Sequence, residues 1–305
     1  MGDSIPGDKK DRFEWKTLTA IGAATWLVTS AGCTAEQAPE AEEMSGEKGS
    51  SESMSAMSES AVGEGEGEGE GEGEGEGEGE GEGEGEGAGG ADPAVDDVAY
   101  LTQLGLIRGH LQVGYTLFER ELPELAETHM KHPREEIYTE LEPAFGVRGC
   151  EGFGDNLTAL TAAVVDRAAA EDVKSTFDSL VVAIAACEEK AAMTDPAVAA
   201  KVIENLVRTA GVEYEIGVID GAIDNLHEYQ DAWGFTQVAR AYLATPAFSG
   251  DAAAIAAAAT ISDILDGLDA LWPSLNPQAG VDGQAAQLFG AASEIQLASL
   301  GLSTP

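Results

Sequence analysis

The residues best suited to chemistry are the histidines, of which the chain has only four. His129 and His132 form a His-x-x-His pair, and Glu135 or Glu136 follows one turn later, with Glu135 as the expected ligand. In a helix these side chains would share a face, although Pro133 favours a helix end, a bend and a new helix start here. We expect His110, from an earlier helix, to pack beside them. Nitrogen and oxygen ligands of this kind suit iron, copper or zinc, so the sequence predicts a transition-metal site.

The acidic segment 213–231 is predicted to supply a further ligand. Glu228 is its expected metal ligand, because carboxylates that project from facing helices hold metal ions in bundle proteins. Glu228 also has capping-box spacing from Asp224 or Asn225. One alternative is therefore that Glu228 is a structural helix cap. The other is that the histidines bind no metal and are exposed loop or packing side chains. The other acidic residues considered are Glu213, Glu215, Asp220 and Asp231.

The chain lacks the motifs of several large enzyme and cofactor classes. It contains no Cys-x-x-Cys-His, which excludes covalently attached c-type haem. It also contains no Walker A sequence, no Rossmann fingerprint, no Gly-x-Ser-x-Gly and no His-Glu-x-x-His. We therefore expect a binding protein rather than an enzyme.

Helices are predicted to position these residues. Apolar residues recur every three or four positions through most of 95–303, and strand-like alternation is absent. This pattern predicts an all-α fold, an antiparallel helical bundle of about eight or nine helices. The predicted helices span 98–120, 123–130, 133–142, 155–169, 172–190, 196–218, 224–244, 251–271 and 282–300.

An acidic, low-complexity stretch precedes the helical part. Glycine alternates with glutamate so that Glu occupies every even position from 64 to 86. Residues 33–94 contain few large apolar side chains and cannot offset the entropy cost of folding. We predict a disordered acidic tether at 33–94 and an all-α domain at 95–305, with 95–150 and 151–305 as candidate subdomains.

The N-terminus has the features of an export signal. Basic residues precede an uncharged run from Leu18 to Gly32, which is too short as a helix to cross a hydrocarbon core of about 30 Å. The sequence Ser-Ala-Gly-Cys that ends at Cys33 resembles a bacterial lipobox. The resemblance implies a signal peptide at 1–32, lipidation of Cys33 and a periplasmic protein, with Thr34 indicating the outer membrane. A plain secretory signal and an uncleaved anchor are the alternatives.

Two further cysteines fit this exported location. Cys150 and Cys187 would lie in an oxidising compartment, where a pair of cysteines forms one disulfide. The predicted hairpin of helices 155–169 and 172–190 would bring the two residues together. Two separate buried thiols are the alternative.

The segment around Glu228 resembles a known family. The chain contains Glu-Tyr, then Val-x-Asp-Gly-x-Ile-x-Asn-x-x-Glu-Tyr, then an aromatic residue. This order is similar to the periplasmic helical region attached to some bacterial iron permeases. The chain lacks the Arg-Glu-x-x-Glu motifs and membrane helices of the permease, so the resemblance implies an accessory domain whose partner is an envelope transport protein. The matching residues are Tyr214, Val218, Asp220, Gly221, Ile223, Glu228 and Tyr229.

These features together predict a lipid-anchored periplasmic accessory protein that binds or handles a transition metal, with iron favoured, for an envelope partner. The formal net charge of −40 argues against nucleic acid as a partner. It also makes lipidated Cys33, rather than surface charge, the expected contact with the membrane. The alternatives are a structural or protein-interaction module of the envelope and a small-ligand-binding helical domain. Pocket walls in the latter would be Tyr115, Tyr138, Trp233 and Phe235.

Overall fold

The structure is a computed structural model that describes residues 90–302. The predicted signal peptide, the lipidation site Cys33 and nearly all of the predicted tether lie outside the described residues. Within residues 90–302 the chain is helical except for loops and one pair of two-residue strands, which confirms the all-α class. No helix in this range is both long enough and apolar enough to span a bilayer. The α-helices are α1 (Asp97–Glu119), α2 (Pro123–His132), α3 (Thr139–Arg148), α4 (Gly154–Val165), α5 (Ala170–Glu188), α6 (Pro196–Gly217), α7 (Leu226–Tyr242), α8 (Ala252–Asp266) and α9 (Ala285–Ser299).

Helix α1 lies at the centre of the fold. Apolar and small residues occur on all its sides, so most of the helix is buried. It packs against α2, α6 and α7, while α6 also packs against α7 and α9. One hydrophobic cluster extends from Tyr100 to Ile295. Both candidate subdomains therefore contribute side chains to the same core.

Two glycines allow α1 and α7 to approach closely. A Cβ atom on Gly234 would lie 2.5 Å from the carbonyl oxygen of Gly109, and a Cβ atom on Gly109 would overlap the ring of Phe235. The helices can cross at this distance only because neither glycine has a side chain. This close crossing brings His110, next to Gly109, within reach of Asp231 on α7.

The connection between the predicted helices 196–218 and 224–244 is a short hairpin in the structure. Helix α6 ends before it, and Val218–Ile219 pairs with Ala222–Ile223 in a short antiparallel ladder. Asp220 and Gly221 have φ angles of 52° and 81°, the left-handed conformations that a type I′ turn requires. The strands are too short to produce an alternating pattern in the sequence, which explains why they were not predicted.

The predicted helix 133–142 also differs in the structure. The backbone does not bend and restart at Pro133, which keeps a helical conformation with φ −53° and ψ −33°. A π-helical segment, Pro133–Tyr138, follows and accommodates the missing proline N–H group in a wider turn. Helix α3 then continues past Pro143 and ends at Arg148, where the left-handed φ of 71° at Gly149 terminates it.

A disulfide joins Cys150 to Cys187, with Cα atoms 5.2 Å apart. Cys150 follows α3 and Cys187 lies near the end of α5, so the bond closes the hairpin of α4 and α5. The adjacent Glu188 is buried and accepts two hydrogen bonds of 2.7 Å from Arg108 on α1. Both contacts attach the end of α5 to the rest of the domain.

Candidate metal centre

A single carboxylate, that of Asp231, lies at the centre of the histidine cluster. Its side chain is fully buried, and Oδ1 lies 2.8 Å from Nδ1 of His110 and 2.9 Å from Nδ1 of His129. The other oxygen, Oδ2, lies 3.2 Å from Nδ1 of His227. Helix α1 supplies His110, α2 supplies His129, and α7 supplies the other two residues. Three helices therefore converge on one carboxylate.

The ligand atoms of the cluster fall into two groups of three residues that share Asp231. The inner group is His110, His129 and Asp231, all fully buried. The outer group is His132, His227 and Asp231, in which the two histidine side chains are 27% and 16% exposed. Within each group the atoms lie within 4.8 Å of one another. The cluster thus runs from the protein core towards solvent.

The structure brings the three predicted histidine ligands together, but the acidic residues beside them differ from the predicted ones. Glu228 lies at the edge of the cluster, with Oε1 3.8 Å from Nδ1 of His227. Glu135 is exposed and belongs to neither group, which corrects the prediction for this residue. Glu136 takes its place, with Oε1 3.3 Å from Nδ1 of His132. Residues four apart lie on the same face of a helical turn, and His132 and Glu136 have this spacing.

Two members of the cluster were not predicted as ligands. Asp231 was considered only as one of several acidic residues, and His227 was given no role. A usable signal existed, because residues four apart share one face of a helix, and His227 and Asp231 have this spacing on α7. Of the other acidic residues in segment 213–231, Glu213 is buried whereas Glu215 and Asp220 are exposed.

The hydrogen bonds of His129 require a cation beside Asp231. Gln230 donates its Nε2 hydrogen to the carbonyl oxygen of Leu275 at 2.7 Å, so its Oε1 faces Nε2 of His129 at 2.8 Å. Because Oε1 can only accept, Nε2 of His129 must carry the proton. In a neutral imidazole the unprotonated Nδ1 then faces Oδ1 of Asp231 at 2.9 Å. A proton or a metal ion between these two atoms would remove the repulsion between their lone pairs.

The pKa shifts differ across the cluster. Burial lowers the pKa of His227, but the Asp231 carboxylate, together with a neighbouring one, outweighs burial and raises it, whereas the pKa values of His129 and His132 are lowered. Burial lowers the pKa of His129. Burial, together with His227 and His110, lowers the pKa of His132 to about 4. Burial would raise the pKa of Asp231, but the surrounding histidines hold it well below its usual value. Neutral imidazole and ionised carboxylate are the forms that bind metals.

The residues present also fit a transition metal in their chemistry and spacing. Imidazole nitrogen with carboxylate oxygen suits iron, zinc or copper. Neighbouring ligands that each lie about 2.0–2.2 Å from an ion are separated by roughly 3 Å, as the inner Nδ1 and Oδ1 atoms are. The hydrogen bond from Nε2 of His129 to Gln230 is the outer contact that metal-binding histidines usually make.

Replacing Gln230 with methionine is expected to weaken metal binding by about 10- to 100-fold, because His129 would lose the contact that orients its ring. The measurement is the Zn²⁺ affinity of the purified protein by titration calorimetry. Gln237→Met, the same change on the same helix, is the control. Equal affinities for Gln230→Met and the wild type would show that Gln230 does not orient His129.

The comparison with known families concerns the second half of the chain. Residues 189–300 match the model of the iron permease-associated 4-helix bundle domain. This segment contains α6 to α9, and it therefore includes His227, Glu228 and Asp231 but not the three histidines of α1 and α2. No curated protein and no solved structure matches the chain. The match confirms the resemblance predicted from the hairpin, and residues 189–300 are similar to the four-helix bundle domain associated with iron permeases.

Proposed function

We propose that this protein is a metal-binding helical module that serves an iron-permease-type transport system. The observation that carries the proposal is the buried Asp231 carboxylate, which three histidines from different parts of the sequence approach within 3.2 Å. Asp231 lies in the segment that matches the iron permease-associated domain. Helices α1 and α2 complete the cluster with histidines from outside that segment.

In this proposal the metal is cargo, and the module is not an enzyme. Mixed nitrogen and oxygen ligands favour iron among the metals considered. The partly exposed His132 and His227 give an ion a route between the buried site and solvent. The expected partner is the transport protein that takes up the ion.

Metal content tests this proposal. The 305-residue chain is exposed separately to Fe²⁺, Cu²⁺ and Zn²⁺, freed of loosely bound ions, and analysed by plasma mass spectrometry. Wild-type protein is expected to retain near-stoichiometric metal, and a His110→Ala/His129→Ala/His132→Ala variant is expected to retain little. Glu135→Ala, an exposed change outside the cluster, should retain as much metal as the wild type. Equal, substoichiometric metal in all three proteins would rule out the site.

We also propose that the module is tethered to a membrane through lipidated Cys33 and lies in the periplasm. The support is the resemblance of the residues before Cys33 to a lipobox. Cys33→Ala is expected to move the protein from the membrane fraction to the soluble periplasmic fraction. A variant that stays in the membrane fraction would exclude lipidation of Cys33 as the anchor.

A further inference from the structure

The two ligand groups use different oxygens of the same carboxylate. Oδ1 of Asp231 faces the inner-group nitrogens of His110 and His129, whereas Oδ2 faces His227. Oδ2 is buried and accepts no hydrogen bond from residues 90–302, although Nδ1 of His227 lies 3.2 Å away. Nε2 of His227 is also buried and has no hydrogen-bond partner in that range. The outer side of Asp231 therefore has two buried polar atoms that lack a hydrogen-bond partner within residues 90–302 and could bind a cation.

The five residues do not suit a single ion. Donor atoms around one ion each lie about 2.0–2.2 Å from it, so any two of them are within about 4.4 Å of each other. The ligand atoms instead form two sets of three, and only Asp231 belongs to both. This division favours two positions for cations, one on each side of the carboxylate.

The stacking of two histidines supports two positions. The rings of His129 and His227 lie with centroids 4.0 Å apart and planes inclined by 15°. An ion bound to an imidazole nitrogen lies close to the plane of that ring, so nearly parallel rings direct their nitrogens to two separate positions. Ions in two-metal protein sites are about 3.5–4 Å apart, which agrees with the spacing of these rings.

Acidic residues on the outer side can balance the charge of a second cation. Glu136 and Glu228 place oxygens 3.3 and 3.8 Å from the nearest outer-group nitrogens. Glu213, which is only 5% exposed, hydrogen-bonds with Glu228. Together with Asp231 these residues supply four carboxyl groups, of which three can be ionised, because the hydrogen bond between Glu213 and Glu228 requires a proton on one of the two. Such compensation is needed because unpaired charge is costly to bury.

We propose that the module binds two divalent first-row transition-metal ions bridged by Asp231. His110 and His129 hold the inner ion, and His132 and His227 hold the outer ion. This inference rests on the proposed function, because both positions belong to the same cluster. The inner residues are fully buried and the outer histidines partly exposed, so the outer ion exchanges with solvent faster.

The first test is the number of Zn²⁺ ions bound by the 305-residue chain, measured by calorimetry and plasma mass spectrometry. Wild type is expected to bind two equivalents and a His132→Ala/His227→Ala variant one. Glu135→Ala should bind two. The substituted histidines are partly exposed, and circular dichroism checks that the variant keeps its helices. Saturation of the wild type at one equivalent would overturn the two-ion proposal and leave the proposed function intact, whereas no binding would overturn both.

The second test asks whether Asp231 bridges the ions. Cu²⁺ is added in two steps, and the paramagnetic resonance spectrum is recorded after each. In a bridged pair the signal of the first ion should broaden or disappear when the second binds. The His132→Ala/His227→Ala variant should keep the signal of an isolated ion. If the protein binds two equivalents of Cu²⁺ and the spectrum shows two magnetically uncoupled ions, Asp231 does not bridge them.

Discussion

Asparagine in place of Asp231 is expected to lower the Zn²⁺ affinity of the protein by at least about 100-fold, or roughly 2.7 kcal/mol. Asp231 is the only residue common to both ligand groups, and it is the fully buried charge on which His110, His129 and His227 converge. Asparagine keeps the size of the side chain but removes its negative charge, and its NH₂ group turns a donor towards ring nitrogens. Calorimetric titration of both proteins with Zn²⁺ measures the loss.

The same substitution is expected to leave the metal-free fold at least as stable as that of the wild type, because the NH₂ group of asparagine can donate to the unprotonated Nδ1 of His129 and relieve the repulsion at that contact. Urea unfolding measures this stability. Asp220→Asn is the matched control, since Asp220 is exposed and its left-handed turn position accepts asparagine. Its effect should stay within about 0.5 kcal/mol. Wild-type metal affinity in Asp231→Asn would contradict the proposed centre.

Gly234→Ala is expected to destabilise the protein by about 3 kcal/mol and to weaken metal binding at the same time. The new Cβ atom would lie 2.5 Å from the carbonyl oxygen of Gly109 and 2.6 Å from Cγ2 of Val113. The first of these neighbours is backbone, so α1 and α7 must move apart, and overpacking of this kind is costly. The same movement would separate His110 from Asp231. Urea unfolding and Zn²⁺ titration together test the prediction.

Gly290→Ala provides the comparison for this change. Gly290 lies within α9 and is exposed, and a Cβ atom there would meet nothing within 4 Å. Alanine is the better helix former, so this variant should be more stable than the wild type by about 0.5–1 kcal/mol. Similar stability in the two glycine variants would show that the crossing of α1 and α7 tolerates a wider separation.

Most of the helices followed from the sequence because amphipathic periodicity is a local property. The predicted helix 196–218 is observed as Pro196–Gly217, and 224–244 as Leu226–Tyr242. The prediction failed between Pro133 and Gly149, where prolines were expected to limit the helix. In the structure a π-helical segment begins at the first of them, Pro133. Such a segment depends on tertiary packing rather than on the helix propensity of the local sequence.

The candidate site was predicted in part. His129 and His132 were found because they are close in sequence, and His110 because histidines are rare in this chain. Glu135 and Glu136 both lie one turn after His132, and the structure places Glu136, not Glu135, beside it. The spacing of Asp231 from His227 was a usable signal, but the central position of Asp231 could not be predicted, because 102 residues separate it from His129.

The sequence by itself determined the helical class, the resemblance of the segment around Glu228 to an iron permease-associated domain, and the residue types for a metal site. These properties depend on composition, local spacing and short motifs. Only the tertiary structure decided that Asp231 is common to both groups of candidate ligands, that His227 lies beside it, and that the two groups lie on its two sides. That arrangement depends on the close crossing of α1 and α7 at Gly109 and Gly234, a contact between residues far apart in the chain.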